Sequence, residues 1–266
     1  MHKTSAAGAI LAVLSLANIA AAPPRPMVRV LWDGATADLQ ASIKRDEKAG
    51  RDLPRLTSPE VRNLFQEAFD EQVLPTLGND LLDFIDTSHR DSVCDVSIGL
   101  ALAYGRHGLG PSAIRTLGAS SDATMARIMR NNVIYQDEQT RAFAFATACF
   151  GTQISIGRTA YAQIPASLIF PTSRQGALLM VQNAPTLYHV IVSTLRDPKI
   201  SLANKTLLLD RAAQYADAYA TVLAPAERKS VIGVVDALAP TAPPPLRVKL
   251  TRIHQAMATP CKGLCA

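Results

Sequence analysis

Residues 80–95 read DLLDFIDTSHRDSVCD, which places five aspartates, one histidine and one cysteine within sixteen residues. On a helix, side chains three or four positions apart share a face, and helical bundles hold divalent metals with such carboxylate–histidine pairs. Asp86 and His89 have that spacing. Glu67, Asp70 and Glu71, a short distance upstream, are the acids that would complete a metal set, and a bound ion there would support hydrolysis.

The same residues have a plainer reading. With Leu81 at 0° on a helical wheel, Leu82 and Ile85 fall at about 100° and 40°, whereas Asp86, Asp83 and Asp80 fall at about 140°, 200° and 260°. The aspartates thus occupy the face opposite the apolar one, as on a solvated amphipathic helix. Asp86 also precedes Arg90 by four residues, the favourable order for a helical ion pair. Di-metal bundles take such a motif from each of two helices, and this chain offers one.

The remaining chemistry-bearing residues are few. GRHGLGPS, 105–112, carries Arg106 and His107 among glycines. It reads either as an anion-binding nest or as a helix stop followed by a turn. His189, within LYHVIVSTL, reads as a core histidine, and His254 as an exposed one. The chain has no HExxH, CxxC, GxSxG or SxxK, and neither a phosphate loop nor a dinucleotide fingerprint. No cofactor is called for.

Four cysteines, Cys94, Cys149, Cys261 and Cys265, set the redox question. The chain opens with Lys3, an apolar run from Ala6 to Ala17, and small residues at Ala20–Ala22. This is the layout of a secretory signal peptide, with cleavage expected after Ala21. An exported chain with an even cysteine count is expected to form two disulfides. Three pairings exist; the preferred one joins Cys94 to Cys149 and Cys261 to Cys265. Cys94, Ile98, Ala101 and Gly105 line one helical face, and Ala142, Phe145, Ala146 and Cys149 line another. Two faces this rich in small residues can approach closely enough for a disulfide.

These groups must be positioned by helices. Alanine and leucine dominate, aromatics make up 5%, and no segment alternates like a strand. The reading is all-α: a multi-helix bundle or irregular array of about 8–10 helices after a cleaved signal peptide. Helices are expected near 35–49, 58–73, 79–89, 92–107, 121–135, 138–163, 173–196, 201–223, 226–239 and 245–258. Capping boxes are expected at Thr57–Glu60 and Thr172–Gln175, a cap at Ser120 or Ser121, and a first turn at Pro225–Glu227. Pro185 should kink or split its helix. The expected organisation is a signal peptide at 1–21, an extended Pro-rich lead-in at 22–34, a helical domain at 35–239, a linker PTAPPP at 240–245, and a basic helix with a cysteine ring at 246–266.

Net charge is +5, but residues 63–100 hold eight acids against one base. Outside that segment the chain is basic, notably from Arg247 to Arg252. The helix over 246–258 would rest on an anionic membrane surface or dock on the protein's own acidic segment. Nucleic acid is excluded as a partner by the lack of stacking aromatics among the bases, and no stretch is long and apolar enough for a membrane span. The sequence therefore points to an exported, periplasmic or extracellular, non-catalytic binding or envelope accessory module, whose partner is an envelope protein or a second copy. The alternatives are a divalent-metal-dependent hydrolase using segment 67–95 and a self-associating structural subunit.

Overall fold

The alanine- and leucine-rich runs form helices, and proline or glycine ends most of them. The computed structural model describes residues 26–74, 93–109, 122–163 and 184–260. These residues form ten α-helices and one 3-10 turn, with no strand among them. The N-terminal pair is α1, Pro26–Lys48, and α2, Pro59–Ala68, followed by the 3-10 turn Glu71–Val73. Then come α3, Val93–Gly105, α4, Asp122–Ile134, and the long α5, Gln136–Gln163. The C-terminal half contains α6, Ala184–Thr194, α7, Leu202–Gln214, the single turn α8, Ala216–Tyr219, α9, Pro225–Leu238, and α10, Pro244–Ala258.

α5 is the axis of the molecule. It packs against α3, α4, α6, α7 and α8. Its closest partnership is with α3, through the small-residue faces identified from sequence. Cys94 and Cys149 are fully buried and joined by a disulfide, with their Cα atoms 5.4 Å apart. Ala101, Ala142 and Ala146 are buried beside them. Cys261 and Cys265 lie outside the described residues.

Two apolar clusters result. The larger is built around α5 and takes Phe145, Phe150, Ile154, Tyr188, Ile191, Leu208, Leu209, Tyr219, Val235 and Ile253. The smaller lies at the N-terminal end and joins Ala35, Leu39, Ile43, Leu53, Phe65 and Ala68 to Leu100, Tyr104 and Tyr135. Phe69 and Val96 pack against both.

Several boundaries differ from the sequence reading. Residues 26–34, expected as extended lead-in, are helical. Burial of Trp32 within this stretch supplies apolar contact. Ser58, not Thr57, stands at the start of α2, and no side chain caps it. α2 ends at Ala68 because Asp70 adopts an extended backbone and caps the 3-10 turn instead. The helix expected over 201–223 breaks at Tyr215. Pro185 is helical in α6, whose described residues begin one position before it. α9 and α10 pack together across PTAPPP, and Leu246, Leu250, Ile253 and Met257 are buried in the larger core. The helix expected at 79–89 and the caps at Thr172 and Ser120 or Ser121 lie outside the described residues.

One close approach is specified by a single residue. A Cβ placed on Gly151 of α5 would lie 2.3 Å from ring carbons of Tyr215 and 2.6 Å from its Cβ. The obstacle includes an atom next to the backbone, so rotation of the ring cannot relieve it. Gly151→Ala is therefore expected to destabilise the fold by about 1–3 kcal/mol in spite of alanine's higher helix propensity. Gly99 of α3 has open space around it, and Gly99→Ala is expected to raise stability by about 0.5–1 kcal/mol. Urea midpoints of the two variants check the opposite signs.

Candidate functional site

The candidate metal ligands that fall among the described residues do not converge. Glu67 is exposed on α2. Asp70 Oδ1 accepts the N–H of Gln72 at 2.9 Å, which is a capping role. Glu71 pairs with Arg211 of α7 and so ties the 3-10 turn to the body. Among the described residues no three or more His, Cys, Asp or Glu side chains are placed to share a metal ion. Asp86 and His89 lie outside the described residues.

GRHGLGPS is described as far as Leu109. Arg106 N–H and His107 N–H donate to Leu102 and Tyr104, and Leu109 N–H donates to Arg106. Gly108 takes a φ of +69°, which a residue with a side chain rarely adopts. The N–H groups of Arg106, His107 and Leu109 are thus engaged in ending α3, and residues 110–112 lie outside the described residues. The His107 carbonyl accepts from Arg127 at 3.2 Å and from Asn131 at 2.9 Å, both on α4.

The most elaborate polar arrangement was not apparent from sequence. Residues 51–55 run extended between α1 and α2. Body side chains capture the backbone there. Leu53 N–H donates to Tyr135 Oη at 3.2 Å, and Tyr104 Oη donates to the Pro54 carbonyl at 2.8 Å. Leu56 N–H donates to Glu138 Oε1 at 2.8 Å. Arg55 pairs with the same oxygen at 3.2 Å and lies over the Tyr135 ring at 5.1 Å. Glu138 is 1% exposed, and its Oε2 has no hydrogen-bond partner. His107 closes the cluster, its ring edge-on to Tyr135 with a centroid separation of 5.8 Å. These contacts join residues 50 to 83 positions apart. The local signal available was the acidic first turn of α5, Asp137-Glu138, a position that favours negative charge.

A second buried joint is at the far end. Arg228 of α9 donates to the carbonyls of Met257 and Thr259 and so closes the C-terminus of α10. The basic side chains of α10 are also engaged: Lys249 with Asp210, Arg252 with Asp217, and His254 with Asp236 at 2.9 Å. Among the described residues the helix therefore docks on acids of α7, α8 and α9; Asp80, Asp83, Asp86 and Asp91 of the segment 63–100 lie outside them. Its apolar face is buried internally, which leaves little of it for a membrane surface.

α4 carries three exposed large apolar side chains, Met125, Met129 and Ile134. Met125, Ile128, Met129, Asn132 and Val133 follow the i, i+3, i+4, i+7, i+8 pattern of one helical face. Met125 and Met129 are 45% and 57% exposed, and the helix buries only Asn131. Asn132 also lines an open depression of about 420 Å³ together with His189, Val190, Thr194, Asp197 and Ile200. His189 is thus a half-buried residue of a surface wall, not the core histidine expected. No described helix is long and apolar enough to cross a membrane.

The fold and these sites define a disulfide-stapled all-α protein. No family model, curated protein or solved structure matches the chain.

Truncation at the polar joint should be costly. Glu138→Ala leaves the Leu56 N–H and the Arg55 guanidinium without their acceptor. A loss of about 2–4 kcal/mol is expected in denaturant unfolding, with the lower half favoured because Arg55 is partly exposed to water.

The buried tyrosines set a pH limit. Tyr188 and Tyr219 stack at 4.4 Å and donate to the carbonyls of Ala212 and Thr147. Burial pushes the phenols of Tyr104, Tyr188 and Tyr219 well above the ordinary tyrosine value. A phenol whose folded pKa is raised stabilises the fold fully below its unfolded pKa, about 10, and loses that stabilisation as pH rises further. Unfolding should therefore set in above about pH 10, with tyrosinate absorbance from these three groups appearing together with loss of helix. Ionisation of all three while helix content is unchanged would contradict the assignment.

Proposed function

We propose that this chain is exported and acts as a non-catalytic helical binding or accessory module of the cell envelope, periplasmic or extracellular. The observation that carries the reading is the buried Cys94–Cys149 disulfide at the α3–α5 contact. Structural disulfides form and persist in oxidising compartments, and the cytosol keeps such thiols reduced. The signal-like N-terminal run supports the same compartment. The binding role is supported by α4, whose apolar face is exposed beside an open depression. A surface of flexible methionines suits a partner with an apolar contact region of its own.

Protein recovered from the extracytoplasmic fraction should begin at Ala22. Cys94 and Cys149 should resist alkylation after denaturation without reductant. A product that keeps its leader, or whose Cys94 and Cys149 are both alkylated, would defeat the export reading. Stoichiometric metal in the purified protein, lost in both Asp86→Ala and His89→Ala, would replace the non-catalytic module with the hydrolase.

A further inference from the structure

We infer that residues 26–68 are a detachable lobe, which opens from the disulfide-stapled body as one cooperative unit about a hinge at Phe69–Asp70. α1 and α2 pack chiefly on each other and share a small core of their own, Leu39, Ile43, Leu53 and Phe65. That core meets the body at Leu100, Tyr104 and Tyr135. Among the described residues the joint also includes Trp32, which reaches the larger core, and the polar clasp: Tyr135, Tyr104 and Glu138 on the backbone of Leu53, Pro54 and Leu56.

The clasp favours closure less than its bond count suggests. Glu138 Oε2 is buried without a partner in the closed state. Opening hydrates it, which offsets part of what Oε1 loses. Beyond the hinge the chain belongs to the body. Glu71 is paired with Arg211, and Val73 and Leu74 lie in the larger core. The body is further held by the disulfide, which no lobe contact requires. A segment with a small core and side-chain-mediated docking is the kind that opens sub-globally ahead of the whole.

The chain provides its own reporter. Trp32 is its single tryptophan, lies on α1, is 3% exposed and reaches the larger core. Lobe opening must bring it into water, whereas most of the helical ellipticity comes from the body. The test is urea unfolding of the full, oxidised chain followed by both signals, with amide exchange at Leu53 and Leu56. The Trp32 transition is expected at lower urea than the main loss of ellipticity. The Leu53 and Leu56 amides should exchange at least about tenfold faster than those flanking Cys149. Tyr135→Phe removes the acceptor of Leu53 N–H and should shift the Trp32 transition alone. Coincident transitions that move together in the variant would overturn the inference. So would a Trp32 transition that Tyr135→Phe leaves in place, because the clasp would then hold nothing.

Discussion

The covalent bond between α3 and α5 is the constraint from which the rest of the arrangement follows. α3 brings Cys94 and Ala101 to this contact and α5 brings Ala142, Ala146 and Cys149, so much of the contact is made by small side chains. Helices packed through small residues gain less from apolar burial than helices packed through leucine or phenylalanine. The disulfide offsets this by restricting the unfolded chain across a separation of 55 residues. With α3 fixed, the opposite side of α5 is free to receive α6, α7 and α8, and the bulky side chains gather there.

Buried polar groups are concentrated at joints between elements. Glu138 and Tyr135 receive the N–H groups of a connector, Asn131 closes the end of α3, and Arg228 closes the end of α10. Tyr188 and Tyr219 tie their hydroxyls to carbonyls on neighbouring helices. Those at the connector and at the ends of α3 and α10 satisfy backbone groups that would otherwise be buried unpaired. The polar interior thus serves architecture, and α4 is one surface where apolar groups, Met125 and Met129 among them, face water.

Local rules made most of the helices legible. Pro59, Pro225 and Pro244 open helices, and Gly108 ends α3. The Cys94–Cys149 bond was legible too, because small-residue periodicity on two segments selects which faces can meet. What local rules missed depends on distant neighbours. PPRP suggests an extended entry, yet Pro26 is already helical and α1 carries Trp32 inward. The break at Tyr215 sits where its ring crosses Gly151, a contact no window of sequence contains. Glu138 looks like one more surface acid until a segment more than eighty residues earlier is folded against it. The basic face of α10 fixed the sign of its partners, and the described ones, Asp210, Asp217 and Asp236, come from three helices distant in sequence from the acidic segment.

The central claim is that the Cys94–Cys149 bond holds the α3–α5 axis, and its removal tests that claim most directly. In the Cys94→Ala/Cys149→Ala double variant, the free energy of the main helical unfolding transition should fall by about 2–4 kcal/mol relative to the oxidised parent, as expected for a loop of this length. A double variant with an unchanged midpoint and slope would show that packing alone holds the axis, and would contradict the account.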